Sequence, residues 1–234
     1  MTYRFRPALL PGIAAAIMLG VTLGAGRWQL ARAHYKEQLR ERFEAAQSMP
    51  PVEIGGAELD ARELEFHPAT ATGRWLPEYA ILLDNRVQGG VAGYELLMPL
   101  QLAGSTRVLL VNRGWVRSGG RRERLPEVAT PAGELRVSGR VRIPGGRFME
   151  LAPEAAGSRI WQNLTLERYA GWSGLALQPF VLEQTSAAED GLVRDWPAVD
   201  FGTDRHYGYA LQWFAFAAIT VFLFLFLSLR KLPA

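Results

Sequence analysis

Residues 207–229 read YGYALQWFAFAAITVFLFLFLSL, twenty-three positions without a charge. At about 1.5 Å per helical residue this run rises ~34 Å, enough to cross a hydrocarbon layer ~30 Å thick. Gln212 is the one strongly polar side chain in the first half of the run. A second uncharged stretch, Pro7 to Ala25, gives about 28 Å by the same arithmetic. A chain of 234 residues with spans at both ends leaves room for one domain of moderate size between them.

Arg4 and Arg6 before the first stretch resemble the basic start of a secretory leader. The apolar part is longer than the ~7–15 residues of a leader, and no clear small-x-small site is followed by a chain that starts afresh. Instead "GAGRWQLARAHYKEQLRERFEAA" continues as a helix, with Trp28, Ala31, Tyr35 and Leu39 at helical spacing and Glu37, Arg40, Glu41 and Arg42 suited to solvent. The reading is a transmembrane helix over 8–26, a helical extension over 27–47 and a second transmembrane helix over 207–229. Arg230 and Lys231 follow the second span while Asp200 and Asp204 precede it. The first span has Arg27, Arg32 and Lys36 after it against Arg4 and Arg6 before it. Two spans put both termini on one side, however, and long domains translocate largely regardless of charge. The second span therefore decides: both termini in the cytoplasm and the middle of the chain outside.

Composition excludes several function classes. The chain has no cysteine, so disulfides, zinc-thiolate sites, thiolate copper delivery and thiol–disulfide exchange are all ruled out. The net charge of +3 comes from Arg-dominated basic residues interspersed with acids, which is not the footprint of a nucleic-acid binder.

Between the spans, residues 48–202 read as β-rich. "EFHPATATGRW" alternates toward Trp75, and "AILLDNRV" is a short apolar run ending in a turn at Asp84-Asn85. "GYELLMPLQL" and "TRVLLVNRGWV" flank the turn at 103–105. "ELRVSGRVRI" alternates, with Leu135, Val137 and Val141 on one face and Arg136, Arg140 and Arg142 near the other; "LALQPFVLEQT" completes the set. "NLTLERYAGWSG" predicts a short helix capped by Asn163 and ended by Gly171, and 186–203 reads as a loop. The predicted fold class is an α+β membrane protein: two transmembrane helices at the chain ends flank a mainly antiparallel, barrel-like extracytoplasmic β domain.

Motifs for catalysis are missing. Asp84-Asn85-Arg86 has the character of a structural turn. Ser118-Gly119-Gly120 has no nucleophile-elbow setting, and "GGVAG" at 89–93 lacks the GK[ST] ending of a phosphate loop. His34 on a solvated helix and His67 before a proline read as surface residues. The expectation is a protein that is not an enzyme.

The segments "GRWQLARAHYKEQL", "GRWLPEYAILLDNRVQGGVAGYELLMPL", "VLLVNRGWV", "VSGRVRIP" and "DRHYGYALQWF" together resemble the Surfeit locus protein 1 family, in order, from about Gly26 to Phe214. Asn112-Arg113-Gly114-Trp115-Val116 combined with the histidine-led second span is the specific part. The chain departs from the family at Tyr35, where Trp is frequent, at Arg117, where Pro commonly follows, and at Tyr207, where Leu is frequent. The resemblance implies a membrane-bound assembly factor for haem-copper cytochrome c oxidase. It implies transient handling of haem a for insertion into subunit I, with that subunit and the haem a synthesis machinery as partners, in a bacterial inner membrane. It also implies that His206 is the axial ligand of the haem iron.

The residues themselves leave two readings of His206. Neutral imidazole suits haem iron, and His206, Tyr209, Ala210, Trp213, Ala217 and Thr220 recur at helical spacing. On that reading the two alanines leave room for a flat ring, Tyr209 and Trp213 stack on it or wall it, and Arg205 meets a propionate. The other reading makes His206 and Tyr209 interfacial anchors on a helix–helix contact face. Trp28 and Trp115 read as packing residues, and Phe222 and Phe226 as lipid-facing. The alternative function is a haem-independent chaperone that stabilises an immature oxidase subunit.

Overall fold

The computed structural model describes residues 3–119, 128–145, 158–196 and 202–231. In chain order the elements are β1 (Tyr3–Phe5), α1 (Leu9–Gln47), β2 (Val52–Ile54), α2 (Ala61–Leu64), β3 (Pro68–Trp75), a 3-10 turn (Pro77–Tyr79), β4 (Ile81–Gln88), β5 (Val91–Leu102) and β6 (Val108–Arg117). There follow β7 (Glu134–Arg142), β8 (Ile160–Trp161), α3 (Leu166–Ser173), β9 (Leu177–Gln184), α4 (Thr203–Ser228) and β10 (Leu229–Lys231). They divide into two compact units, one formed by the chain ends up to residue 42 and from residue 198, the other by residues 43–197.

The unit of the chain ends is an antiparallel helical hairpin. Both α1 and α4 are long and apolar enough to cross a membrane. Pro11 falls in the first turn of α1, where its missing N–H costs no helical hydrogen bond. The covered positions of α1 step by three and four, through Gly12, Ala15, Leu19, Thr22, Gly26 and Gln29 to Ala33, and those of α4 do the same. That 3.5-residue period lays one straight seam along each helix. Small residues let the chains approach: a Cβ on Gly26 would lie 2.7 Å from the Phe214 ring, and one on Gly12 3.7 Å from Phe224. Hydroxyls inside the apolar stretches are satisfied by their own helices, Thr22 by the Met18 carbonyl at 2.8 Å and Thr220 by Phe216 at 2.8 Å. Leu10, Ile17, Leu211, Phe222 and Phe226 stand exposed around the outside. Beyond the helices β1 pairs antiparallel with β10, Tyr3 opposite Lys231 and Phe5 opposite Leu229, so the two chain ends meet at one end of the hairpin.

In the second unit the strand order is β2-β3-β7-β9-β6-β5-β4-β8, and β3 also pairs with β5. That extra pairing closes β3, β7, β9, β6 and β5 into a five-stranded barrel. Closure depends on β5, twelve residues long: Leu100–Leu102 meets Trp75–Gly73 of β3, while Val91–Leu97 meets β4. Gly73 permits the crossing, because a Cβ there would run into the Gln101 carbonyl oxygen. Strand alternation sorts the apolar residues. Leu96, Met98, Leu100, Leu109, Val111, Phe180 and Leu182 fill the barrel, whereas Leu97, Leu110 and Val181 point outward into a second cluster with Trp161, Leu164 and Tyr169 beside α3.

The expected mixed helix and sheet architecture is present, with local differences. The sheet is mixed, since β2–β3, β4–β8 and β6–β9 are parallel; strand order follows from long-range closure, which alternation does not encode. Asp84-Asn85 is not the hairpin turn but a bulge inside β4: Asn85 adopts φ 59°, its N–H donates to Asp84 Oδ1 at 2.7 Å, and the register against β5 shifts there. The turn comes later, at Gly89-Gly90, both at positive φ as a two-residue hairpin with right-handed twist demands. The α3 helix is capped by Thr165, whose hydroxyl accepts from Arg168 N, and ends at Gly174 with φ 70°, not at Asn163 and Gly171. Gly120 of the Ser118-Gly119-Gly120 trio and positions 197–201 of the connecting loop lie outside the described residues.

Candidate functional site

His206 lies in the first turn of α4, directly after a left-handed Gly202 (φ 62°) that starts the helix. It is half-buried, on the face turned toward α1. Its Nδ1 is 2.7 Å from Gln29 Oε1 on α1, and Nε2 has no hydrogen-bond partner among the described residues. The next residue, Tyr207, donates its hydroxyl to Glu37 Oε2 at 3.0 Å and packs edge-on against the His34 ring, centroids 6.1 Å apart. His34 is therefore part of the hairpin contact, although it is largely exposed.

The other residues singled out from the sequence are only partly gathered here. Trp213 shares the α1-facing stripe with His206 and is half-buried, its ring edge-on to Phe216 at 6.0 Å. Tyr209 turns off that stripe and is 51% exposed. Arg205 is exposed, its guanidinium folded back beside Gly202. Ala210 and Ala217 are 1% and 4% exposed within the covered face, so the space above them is already filled. Among the described residues there is no slot for a flat ring over these two alanines; a donor open to a ligand is His206 Nε2, at the end of the seam. A single imidazole whose other nitrogen is held suits an axial ligand to iron.

The barrel carries a charged centre that the sequence reading missed. Arg113, 1% exposed, ends the inward series Leu109, Val111, Arg113 of β6. It donates to Asp190 Oδ2 at 2.8 Å, Thr130 Oγ1 at 2.9 Å and the Ala129 carbonyl at 2.9 Å, and lies over the Trp75 ring at 5.0 Å. Asp190 also accepts from Arg194 and from the Leu192 N–H. Burial pushes the Asp190 carboxyl up, but the hydrogen bonds from Arg194, Leu192 and Arg113 outweigh it and hold it below the usual carboxylate range. Burial lowers Arg113 from the ordinary arginine value against the pull of Asp190. A charge at an inward position of an alternating strand was the available signal, since such a charge requires a buried partner.

The same motif secures the segment that leads toward α4. Trp115 and Val193 exchange both backbone hydrogen bonds at 2.8 Å, and Trp115 Nε1 donates to the Arg86 carbonyl at 2.9 Å. Gly114 sits at φ 140° with room for no side chain, because a Cβ would be 2.8 Å from the Val193 carbonyl oxygen. Asn112-Arg113-Gly114-Trp115 is thus a clasp for residues 190–196. A cleft of about 240 Å³ beside it has Leu83, Leu97 and Val181 as floor and Arg86, Glu95, Arg142 and Glu183 at the rim. Its charges neutralise one another: Glu183 meets Arg140 at 2.6 Å and Arg142 at 3.2 Å, and Glu95 meets Asn112 at 2.9 Å and Arg86 at 3.6 Å. Among the described residues no three His, Asp or Glu side chains converge to hold a metal.

The profile of the SURF1 family matches residues 16–218, a stretch that takes in most of α1, the first part of α4 and the whole barrel. The chain belongs to the SURF1 family. It is 28% identical over 235 residues to the SURF1-like protein of Drosophila melanogaster, covering 91% of this chain and 75% of that protein. To the SURF1-like protein of Monosiga brevicollis it is 25% identical, over 88% of this chain and 83% of the other. To Surfeit locus protein 1 of Mus musculus it is 22% identical, over 90% and 73%. Bacterial relatives exist too: a SURF1-like protein of Mycobacterium tuberculosis is 25% identical over 82% of this chain. Within this SURF1 chain, the matched stretch holds both ends of the Gln29–His206 contact and both ends of the Arg113–Asp190 pair.

Proposed function

We propose that this SURF1-family chain is an assembly factor for haem-copper cytochrome c oxidase. It holds haem a transiently at His206 and passes it to subunit I after receiving it from the haem a synthesis machinery. The observation that supports this is the His206 ring at the end of the helical seam, with Nδ1 engaged and Nε2 without a partner among the described residues. The role is that of a carrier and not a catalyst, since the cofactor is moved and not transformed. Exposed Arg205 is the propionate partner, exposed Tyr209 flanks the ring from the outer side of the helix, and Trp213 supports the site from about two turns further along the α1-facing stripe. The charge bias around the second span supports a topology with both termini in the cytoplasm of a bacterial cell and the barrel outside its inner membrane.

Co-expression with haem a synthesis enzymes, purification and an absorption spectrum test this reading. His206→Ala loses most of the haem band, because alanine offers iron no lone pair; His206→Met retains a weakened, shifted band through its thioether. An unchanged band in His206→Ala overturns it. The covered Ala210–Ala217 face favours a second reading, a chaperone that steadies an immature oxidase subunit without touching haem. That reading prevails if assembly depends on the protein while no preparation carries haem.

A further inference from the structure

We infer that Gln29 is a positioning residue for His206: its Oε1 keeps the imidazole proton on Nδ1 and so presents Nε2 as the nitrogen that takes iron. The inference rests on the haem-ligand reading above and adds to it which nitrogen binds and what orients it. The two residues lie 177 positions apart on different helices, yet Nδ1 and Oε1 are 2.7 Å from each other. That is a strong neutral hydrogen bond by length.

Gln29 has little freedom to be elsewhere. It occupies the covered stripe of α1 between Gly26, which holds the Phe214 ring, and fully buried Ala33. About two turns along α1 from Gln29, the Tyr207–Glu37 bond fixes the residue next to the histidine. The His206 ring is therefore oriented from α1 before any ligand arrives. An imidazole that donates its Nδ1 proton to a carbonyl-type oxygen has a more basic Nε2 lone pair and one ring orientation, as ligating histidines in metal sites do. A residue serving only as glue between helices needs some hydrogen bond to His206; a positioning residue needs an acceptor at Nδ1.

Two variants separate these roles. Gln29→Glu keeps an acceptor in place, and Gln29→Leu removes it. In the haem-free full chain, with His34 and His67 changed to alanine, ¹⁵N spectra of labelled histidine report His206 alone. The expected state is protonated at Nδ1 in the parent and in Gln29→Glu, and a mixture in Gln29→Leu. In titrations with haem, Gln29→Leu weakens binding about 10–100-fold and raises the reduction potential, while Gln29→Glu binds within a few-fold of the parent and lowers it. A parent His206 protonated at Nε2, or a Gln29→Leu protein with parental haem affinity and potential, overturns the inference. Haem retained in full by His206→Ala sinks the ligand reading and the iron part of this inference with it. The tautomer, read without haem, shows separately whether Gln29 holds the ring.

Discussion

The helical hairpin packs glycine against phenylalanine, Gly26 beneath Phe214 and Gly12 beneath Phe224, and two inter-helix side-chain hydrogen bonds lie toward one end, at His206 and Tyr207. The barrel does the opposite and places an arginine, an aspartate and a second arginine among its leucines. The difference follows from the solvent. Lipid gives no hydrophobic reward for pairing helices and no water to unpaired polar groups, so close contact between small and large side chains has to hold the seam. The barrel folds from water, where burying Leu96, Leu100, Leu109 and Leu182 contributes about 1.5–3 kcal/mol per fully buried side chain. That surplus can carry a desolvated ion pair whose use is to pin one segment in one place.

The sharpest way to break this contrast is Asp190→Ala. It strands Arg113 in the core, and the expected loss is about 3–5 kcal/mol of barrel stability, measured by denaturant unfolding followed through tryptophan fluorescence. The double change Arg113→Met with Asp190→Leu should recover most of that loss, because an apolar pair of similar volume replaces the charges. If Asp190→Ala is neutral, the ion pair is not what holds the 190–196 segment.

Gly114→Ala follows in size, at about 1–3 kcal/mol. It forces a side chain into φ 140° and against the Val193 carbonyl. Protease cleavage within 190–196 should rise in the variant, since the Trp115–Val193 pairing opens. In the hairpin the corresponding change, Gly26→Ala, costs less, about 1 kcal/mol, because the obstacle is the edge of a ring and not backbone. Its readout is disulfide formation between cysteines placed at the register partners Arg4 and Arg230; yield should fall modestly and recover with Phe214→Leu.

Acidification gives the smallest effect at ordinary pH. The folded Asp190 has a pKa below its unfolded value of about 3.9. Its contribution is therefore complete above that value and is lost as pH falls through the lower folded pKa. Barrel stability should not change through Asp190 between about pH 5 and 8, and should decline below about pH 4. Asp190→Asn should flatten that decline; a decline of undiminished size in the variant assigns it to other carboxylates.

Much of this architecture is legible in single stretches of sequence. Period-2 alternation in 134–142 and in 177–184 locates two barrel strands, and the two uncharged runs locate the helices. What stays hidden depends on partners far away. Parallel pairing of β6 with β9, and the β3–β5 contact that closes the barrel, are decided by the whole set of strands. The Asp84-Asn85 bulge mimics a turn because both need a residue tolerant of positive φ. The site divides in the same way: His206 announces itself at the mouth of an apolar helix, whereas Gln29 is an ordinary polar residue until α1 and α4 are set side by side. Arg113 was visible as a charge in an inward register, but Asp190, 77 positions on, was not.

The seam between α1 and α4 also sets a timetable. Gly26 emerges from the ribosome roughly 190 residues before Phe214, a gap of about 10–40 s at ~5–20 residues per second. Throughout that interval the apolar part of α1 stands with its glycine groove uncovered, Gln29 in the helical extension beyond it has no histidine to hold, and β1 waits for the last strand of the chain. During biogenesis, then, the newborn protein is a single-span intermediate with an open docking face. The face closes only when the second helix arrives.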